Sequence, residues 1–308
     1  MNYLFGPVAS RRLGLSLGVD LIPPKTCPLD CIYCEVGRTT VKTLARREYI
    51  PAAAIIAELT AYFAGCQEEP DYVTLAGSGE PTLNSGLGRI IAHLKQLSRV
   101  PVAVLTNGVL LADPQVRREI SQADVILPSL DAVTPALFQK INRPVAGVTV
   151  ETLIAGLKAL RQEYPGQIWL EILLLKGLND TPAELARLRA VVQDIHPDEI
   201  HLNTAVRPVV EEYALAVSPE VLAAAAAYLG ENARVIAAFP QQQHPHFDLS
   251  DADFLASLSR RPQTAADLAA VLQLPEGEVA KRLHFLEQKG QVRALQHQNN
   301  VFYQTVAE

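Results

Sequence analysis

Long apolar runs are missing from this sequence. The longest, an alanine-rich stretch around Val221 to Leu229, falls far short of the roughly 18 residues that a membrane span needs, so no membrane segment is expected. A secretory leader is missing too. "MNYLFGPVASRRLG" places its arginines after a short, proline-broken apolar piece, the reverse of signal-peptide order, and a reducing, cytoplasmic location is the expectation. Cysteine is scarce, with four in 308 residues, and a disulfide framework does not fit that compartment. A general positive charge is absent: the net charge is −6, which gives the whole chain no pull toward nucleic acid. No glycine-rich dinucleotide fingerprint follows the first strand-like run, and no internal repeats stand out.

What is present is ordinary in bulk and unusual in one place. A chain that is 49% hydrophobic and 19% charged has the composition of a soluble globular protein, long enough to bury a large core in one or two domains. Yet three of its four cysteines, Cys27, Cys31 and Cys34, fall within the nine residues "CPLDCIYCE". They lie in a locally basic segment, since residues 1–50 hold seven Lys/Arg against four acidic residues. An anionic substrate or partner suits that segment, and so does plain solvated surface.

Zinc in structural sites commonly takes four protein ligands in paired C-x2-C knuckles. Here the spacing is C-x3-C-x2-C with no second pair nearby, and Cys66, at the end of a helical pattern, reads as a small buried hydrophobe. A cubane cluster held by three thiolates leaves one iron open to a non-protein ligand. A purely structural or electron-transfer cluster is expected to have four cysteines, so the spacing favours a functional iron–sulfur site over zinc.

Along the chain, short β-rich runs alternate with helical patterns. The strand-like runs are "LSLGVDLI", 72–77, 102–108, 124–130, 168–175 and 199–205, and helical spacing covers 51–65, 87–98, 114–122, 150–163 and 182–195. Proline opens several of these helices and a later one, at Pro51, Pro114, Pro182 and Pro219. Six such units imply parallel β-structure of the α/β class, as a doubly wound sheet or a barrel-like array. A polar stretch at 238–251 reads as a linker; its His244, His246 and Asp248 could hold a metal, although a solvated linker explains the same residues. Three helices and a hairpin around "HQNN" then describe a winged helix-turn-helix. The expected division is residues 1–240, a linker at 241–252 and a small domain at 253–308.

The cysteine spacing, with Tyr33 just before the third cysteine, resembles the signature of the radical S-adenosylmethionine (SAM) superfamily. The resemblance implies a partial (β/α)6 barrel and a [4Fe–4S] cluster on Cys27, Cys31 and Cys34. It also implies that SAM binds the open iron and is cleaved reductively to a 5′-deoxyadenosyl radical. It extends motif by motif. "GSGEP" (77–81), with Gly77, Gly79 and Glu80, resembles the family's segment that bonds the SAM amino group, with Ser78 as a departure in its middle. "TNG" (106–108) supplies Thr106 and Asn107, and "SLDA" (129–132) supplies Ser129 and Asp131, where the family places ribose and carboxylate contacts. Glu171, Lys176 and Asn179 follow in "LEILLLKGLND", and Asn203 and Arg207 in "HLNTAVRP". Each stands within or just after a strand, at the edge where ligands collect in parallel α/β folds. Singly, these residues also read as turns or solvated loop groups; no catalytic residue is singled out.

The leader "FGPVASRRLGLSLGVDLIPPKTCPLDCIYCEVG" with "SGEPTLN" and "LTNG" resembles compact enzymes related to those that form wyosine in tRNA. The expected function is therefore SAM-dependent radical modification of a macromolecule, RNA or protein, with an electron donor such as flavodoxin or ferredoxin. Two alternatives stand: a radical activase or maturase, and an iron–sulfur redox regulator that binds DNA. The C-terminal segment from 251 carries six basic against seven acidic residues, with Glu276 and Glu278 opening its third helix. That charge argues against specific binding of duplex DNA.

Overall fold

The computed structural model describes residues 2–66, 68–237, 251–272, 274, 276–297 and 300–306. From the N-terminus, β1 (Leu4–Ser10) and β2 (Gly14–Asp20) form an antiparallel hairpin. The two-residue strands β3 (Thr26–Cys27) and β4 (Val41–Lys42) then pair across the cysteine loop. Next come α1 (Ala52–Gly65), β5 (Tyr72–Ala76), α2 (Leu87–Leu97), β6 (Val102–Thr106), α3 (Pro114–Ile120) and β7 (Val125–Pro128). After two helices, α4 (Pro135–Asn142) and α5 (Val150–Glu163), the alternation resumes with β8 (Gln167–Leu174), α6 (Pro182–Ile195), β9 (Glu199–Thr204), α7 (Pro219–Leu229) and β10 (Ala233–Val235).

The main sheet runs β1-β2-β5-β6-β7-β8-β9-β10, parallel from β2 onward. Among the described residues β10 does not pair with β1, so the array is an open, partial barrel. The six expected strands correspond to β2 and β5 to β9. The sequence reading missed β1, α4 and β10. β1 is interrupted by Pro7 and a register shift between Phe5 and Val8, features that an edge strand tolerates; β10 is only three residues long.

Side chains divide the sheet's two faces. Leu17, Val19, Val73, Leu75, Val102, Val104, Leu170 and Leu202 are fully buried in the core they share with the helices, and the helices are fixed at their starts. Asp113, Thr149, Thr181 and Ser218 accept backbone N–H groups of α3, α5, α6 and α7, each cap worth about 1 kcal/mol. On the concave face an apolar patch of Leu13, Ala103, Val125 and Leu127 gives way to polar side chains. There Ser16 bonds Thr74, and Asn203 bonds Glu171 (3.1 Å). The strands therefore alternate apolar and polar side chains along part of their length.

The C-terminal module contains α8 (Asp251–Arg260), β11 (Gln263–Thr264), α9 (Ala265–Leu272), α10 (Glu276–Gln288), β12 (Val292–His297) and β13 (Asn300–Thr305). β12 and β13 are the expected hairpin; β11 adds a third antiparallel strand to it, in the order β11-β13-β12. The module has its own core around Phe254, Leu258, Leu268 and Leu283, and Val8 and Ala9 of β1 pack against that core. Arg260 joins it to the barrel by an ion pair to Asp20 (3.0 Å) and by stacking over the Phe5 ring (3.8 Å to its centroid). The module thus covers the exposed edge of the sheet, which unpaired would invite aggregation. Of the expected linker, residues 241–250, with His244, His246 and Asp248, lie outside the described residues, and 251–252 open α8. No helix among the described residues is long and apolar enough to cross a membrane.

Candidate active site

The cysteine loop is pinned at several points. Leu29 and Ile32 are buried in the main core, while the Asp30 and Ile32 N–H groups donate to carbonyls of Asn142 and Ile141 at the end of α4 (3.0 and 2.9 Å). Between these anchors the thiols lie near enough that Cys34 disfavours ionisation of Cys27, and both disfavour that of Cys31. Burial pushes Cys27 up to about 12, with Glu80 adding to the effect, and raises Cys31 well above the ordinary thiol range. Burial also raises Cys34, against N–H groups of Val36 and Gly37.

Two carboxamides tie the thiols to the strand ends. Asn107 Nδ2 lies 3.4 Å from Cys27 Sγ, and Asn142 Nδ2 lies 3.4 Å from Cys31 Sγ. Each asparagine is held in turn by a buried carboxylate, Asn107 through its backbone N–H and Asn142 through its side-chain amide. Glu80 accepts the Thr82 and Thr106 hydroxyls (both 2.6 Å) through one oxygen and the Asn107 N–H (2.8 Å) through the other. Asp131 accepts Asn142 Nδ2 (2.7 Å), the Leu173 N–H (3.0 Å) and the Tyr33 hydroxyl. Burial raises both carboxyls from the ordinary range, against those hydrogen bonds.

The expected site residues therefore converge in two sets. Tyr33, Asn107, Ser129 and Asp131 line one small crevice beside Leu29, joined there by Asn142, which was not expected. Glu171 and Asn203 instead meet Arg12 and Arg11 from the β1–β2 turn: Arg12 pairs with Glu171, and Arg11 donates to Asn203 (3.1 Å). Burial acts to raise the Glu171 carboxyl, but Arg12, Asn203 and Arg11 together outweigh it and lower it.

The glycines serve the chain's own packing. A Cβ on Gly79 meets the Thr26 carbonyl at 2.4 Å, and Gly77, at φ +130°, leaves no room beside Asp20. The close approach lets Glu80 N–H reach the Thr26 carbonyl (3.0 Å), which locks "GSGEP" onto the strand entering the cysteine loop. Asn179 is buried and bonds the Asp131 and Leu173 carbonyls (2.7 and 2.8 Å). Arg207, also buried, pairs with Glu35 (2.9 Å). Cys66 stands apart and contacts the Glu68 carbonyl.

Sequence reasoning missed Asn142, Arg11 and Arg12. Their partners lie 111, 192 and 159 positions away, respectively, and nothing local marks them.

The arrangement fits a cluster better than a single ion. Among the described residues, no three His, Cys, Asp or Glu side chains could hold one metal ion. Three half-buried thiols near one another, two of them with their own amide donor, fit a cubane in which each cysteine takes a different iron. A cluster also supplies the positive charge that burial demands before such thiols ionise.

Comparisons with known proteins point the same way. The pattern of the Radical SAM superfamily matches residues 21–189. The chain is 40% identical to the UPF0026 protein slr1464 of Synechocystis sp. over 67% of this chain and 76% of that one. It is 29% identical to the UPF0026 protein MJ1312 of Methanocaldococcus jannaschii over 98% and 96%. A match at 35% identity to a protein named GTPase Obg, from Brachyspira hyodysenteriae, covers 94% of this chain and only 43% of that protein. Among solved structures, TYW1 with a lysine-pyruvate adduct bound shares the fold (TM-score 0.53, 18% identity, covering 74% of this chain and 76% of that one). So does SuiB of Streptococcus suis bound to S-adenosylmethionine (TM-score 0.52, 14% identity, 70% and 49%). The chain belongs to the radical SAM superfamily, and its cofactors are a [4Fe–4S] cluster and S-adenosylmethionine.

Proposed function

We propose that this protein is a SAM-cleaving radical enzyme that modifies a macromolecule, with RNA the class favoured by the resemblance of its leader segment. Cys27, Cys31 and Cys34 are the cluster ligands in this reading, and SAM lies along Gly77–Glu80, Thr106–Asn107 and Ser129–Asp131. When bound, the cluster and SAM together supply a 5′-deoxyadenosyl radical for hydrogen abstraction. The protein's own residues position and enclose them. Glu80 fixes the "TNG" turn so that Asn107 reaches Cys27, and Asp131 fixes Asn142 against Cys31. Tyr33 closes the crevice over Asp131, while Arg12, Glu171 and Asn203 form a polar wall on the concave face. The observation that carries the proposal is this pairing of each carboxylate motif with a thiol through one asparagine.

The C-terminal module, read as a winged helix on a domain of its own, presents substrate to the barrel from a cytoplasmic setting. An electron donor such as flavodoxin or ferredoxin reduces the cluster. Docking of α8 and α9 against β1 supports the delivery role over a free DNA-binding module, and the module's acidic balance supports it too. Anaerobic turnover of the full-length protein with RNA and protein fractions tests the reading. Stimulation of 5′-deoxyadenosine release by RNA is expected. Stimulation by protein alone points to an activase, and stimulation by neither contradicts a macromolecular substrate.

A further inference from the structure

A cavity of ≈ 230 Å³ lies where the C-terminal module meets the concave face of the barrel, and four arginines reach it, two from each side. Arg11 and Arg12 come from the β1–β2 turn, Arg260 and Arg261 from the end of α8. Three have partners in the protein: Arg12 pairs with Glu171, Arg260 with Asp20, and Arg11 donates to Asn203. Arg207, just behind them, takes Glu35 (2.9 Å) and Asp267 (3.9 Å). Arg261 makes no direct hydrogen bond or close ion pair among the described residues, and Glu35 and Asp267 act on it only at longer range. Glu35 on the cavity wall offsets part of this charge but is shared with Arg207 and Arg11, so the half-buried guanidiniums outnumber the carboxylates that face them, an excess that an added anion relieves.

We infer that this cavity binds a phosphate group of the substrate, gripped between Arg261 of the module and Arg11 of the barrel. The choice of phosphate over carboxylate follows from direction. Guanidinium forks arriving from two separate modules, with Ser78 on a further wall, suit a tetrahedral oxyanion better than a planar one. Burial lowers Arg261 to about 9 and Arg11 to about 10, Arg207 adding to both; both stay charged at neutral pH. Because Gly77 and Ser78 line the same cavity, the phosphate sits next to the "GSGEP" segment. The site exists only while the module is docked, so docking and substrate recognition are one event.

The inference rests on the radical SAM reading only in assigning the phosphate to the substrate. Equilibrium dialysis of the full-length protein against labelled inorganic phosphate at pH 7.5 tests it. One phosphate bound per chain is expected, at least tenfold weaker in Arg261→Gln, partly restored in Arg261→Lys, and unchanged in Arg293→Gln on the exposed wing. Acetate at equal concentration should not displace it. Absent saturable binding, equal binding by Arg261→Gln, or displacement by acetate overturns the proposal. Iron content and SAM cleavage are read on the same preparation. A protein that passes both and fails to bind phosphate refutes this site alone.

Discussion

The two ends of the concave face are held together by opposite chemistry. Around the cysteine loop the contacts are neutral amides and backbone groups, with Asn107 and Asn142 against the thiols and Glu80 and Asp131 turned toward hydroxyls and N–H groups. At the module junction the contacts are ion pairs: Arg12–Glu171, Arg207–Glu35 and Arg260–Asp20. The difference identifies what each end lacks. Buried thiols without a cation partner call for a metal centre, and clustered guanidiniums call for an anion.

The comparison breaks most completely at the thiols. Alanine at Cys27, Cys31 or Cys34 should take the iron of the anaerobically reconstituted protein from about four atoms per chain to near zero, while Cys66→Ala keeps all of it. Iron analysis of the four variants decides the assignment. A Cys66 variant that loses iron while a loop variant keeps it reverses the ligand set.

A smaller effect is expected one step back from the thiols. Glu80→Gln keeps the shape but weakens the acceptor shared by Thr82, Thr106 and Asn107. A hydrogen bond to a charged group is worth about 1.5–3 kcal/mol, so SAM affinity should fall about tenfold or more while the cluster's absorption persists. Unchanged affinity in a titration calorimeter means that the Glu80 network does not shape the SAM site.

The smallest effect belongs to the junction. Asp20→Asn retains an oxygen for the Ser78 N–H (2.9 Å) but discharges the partner of Arg260. Both side chains are only partly buried, so a loss of about 1 kcal/mol is expected, seen as faster proteolysis within the C-terminal module. Iron content should not change. A variant that loses iron shows that the two ends are not independent.

The same contrast explains what was legible in the sequence. The thiol end was readable because its parts are contiguous: "CPLDCIYCE", "GSGEP", "TNG" and "SLDA" each carry several functional residues on one strand end or loop. Composition and alternation likewise gave six strands and their helices, because parallel strands write their burial locally. The junction was not readable in that way. Glu35 and Arg207 are 172 positions apart, and Asp20 and Arg260 are 240 apart. Their pairing depends on how the module docks, which no window of sequence encodes. The close packing of Gly79 against the Thr26 carbonyl was not readable either, because the two segments are far apart in the chain.

The central claim is that three thiolates hold a cluster whose open iron takes SAM. It is tested most directly by electron paramagnetic resonance of the reduced, full-length protein with and without SAM. A reduced [4Fe–4S] signal whose shape changes on adding SAM, accompanied by release of 5′-deoxyadenosine, is the expected result. A protein that binds about one zinc per chain, or a cluster signal that SAM leaves unaltered, contradicts the account.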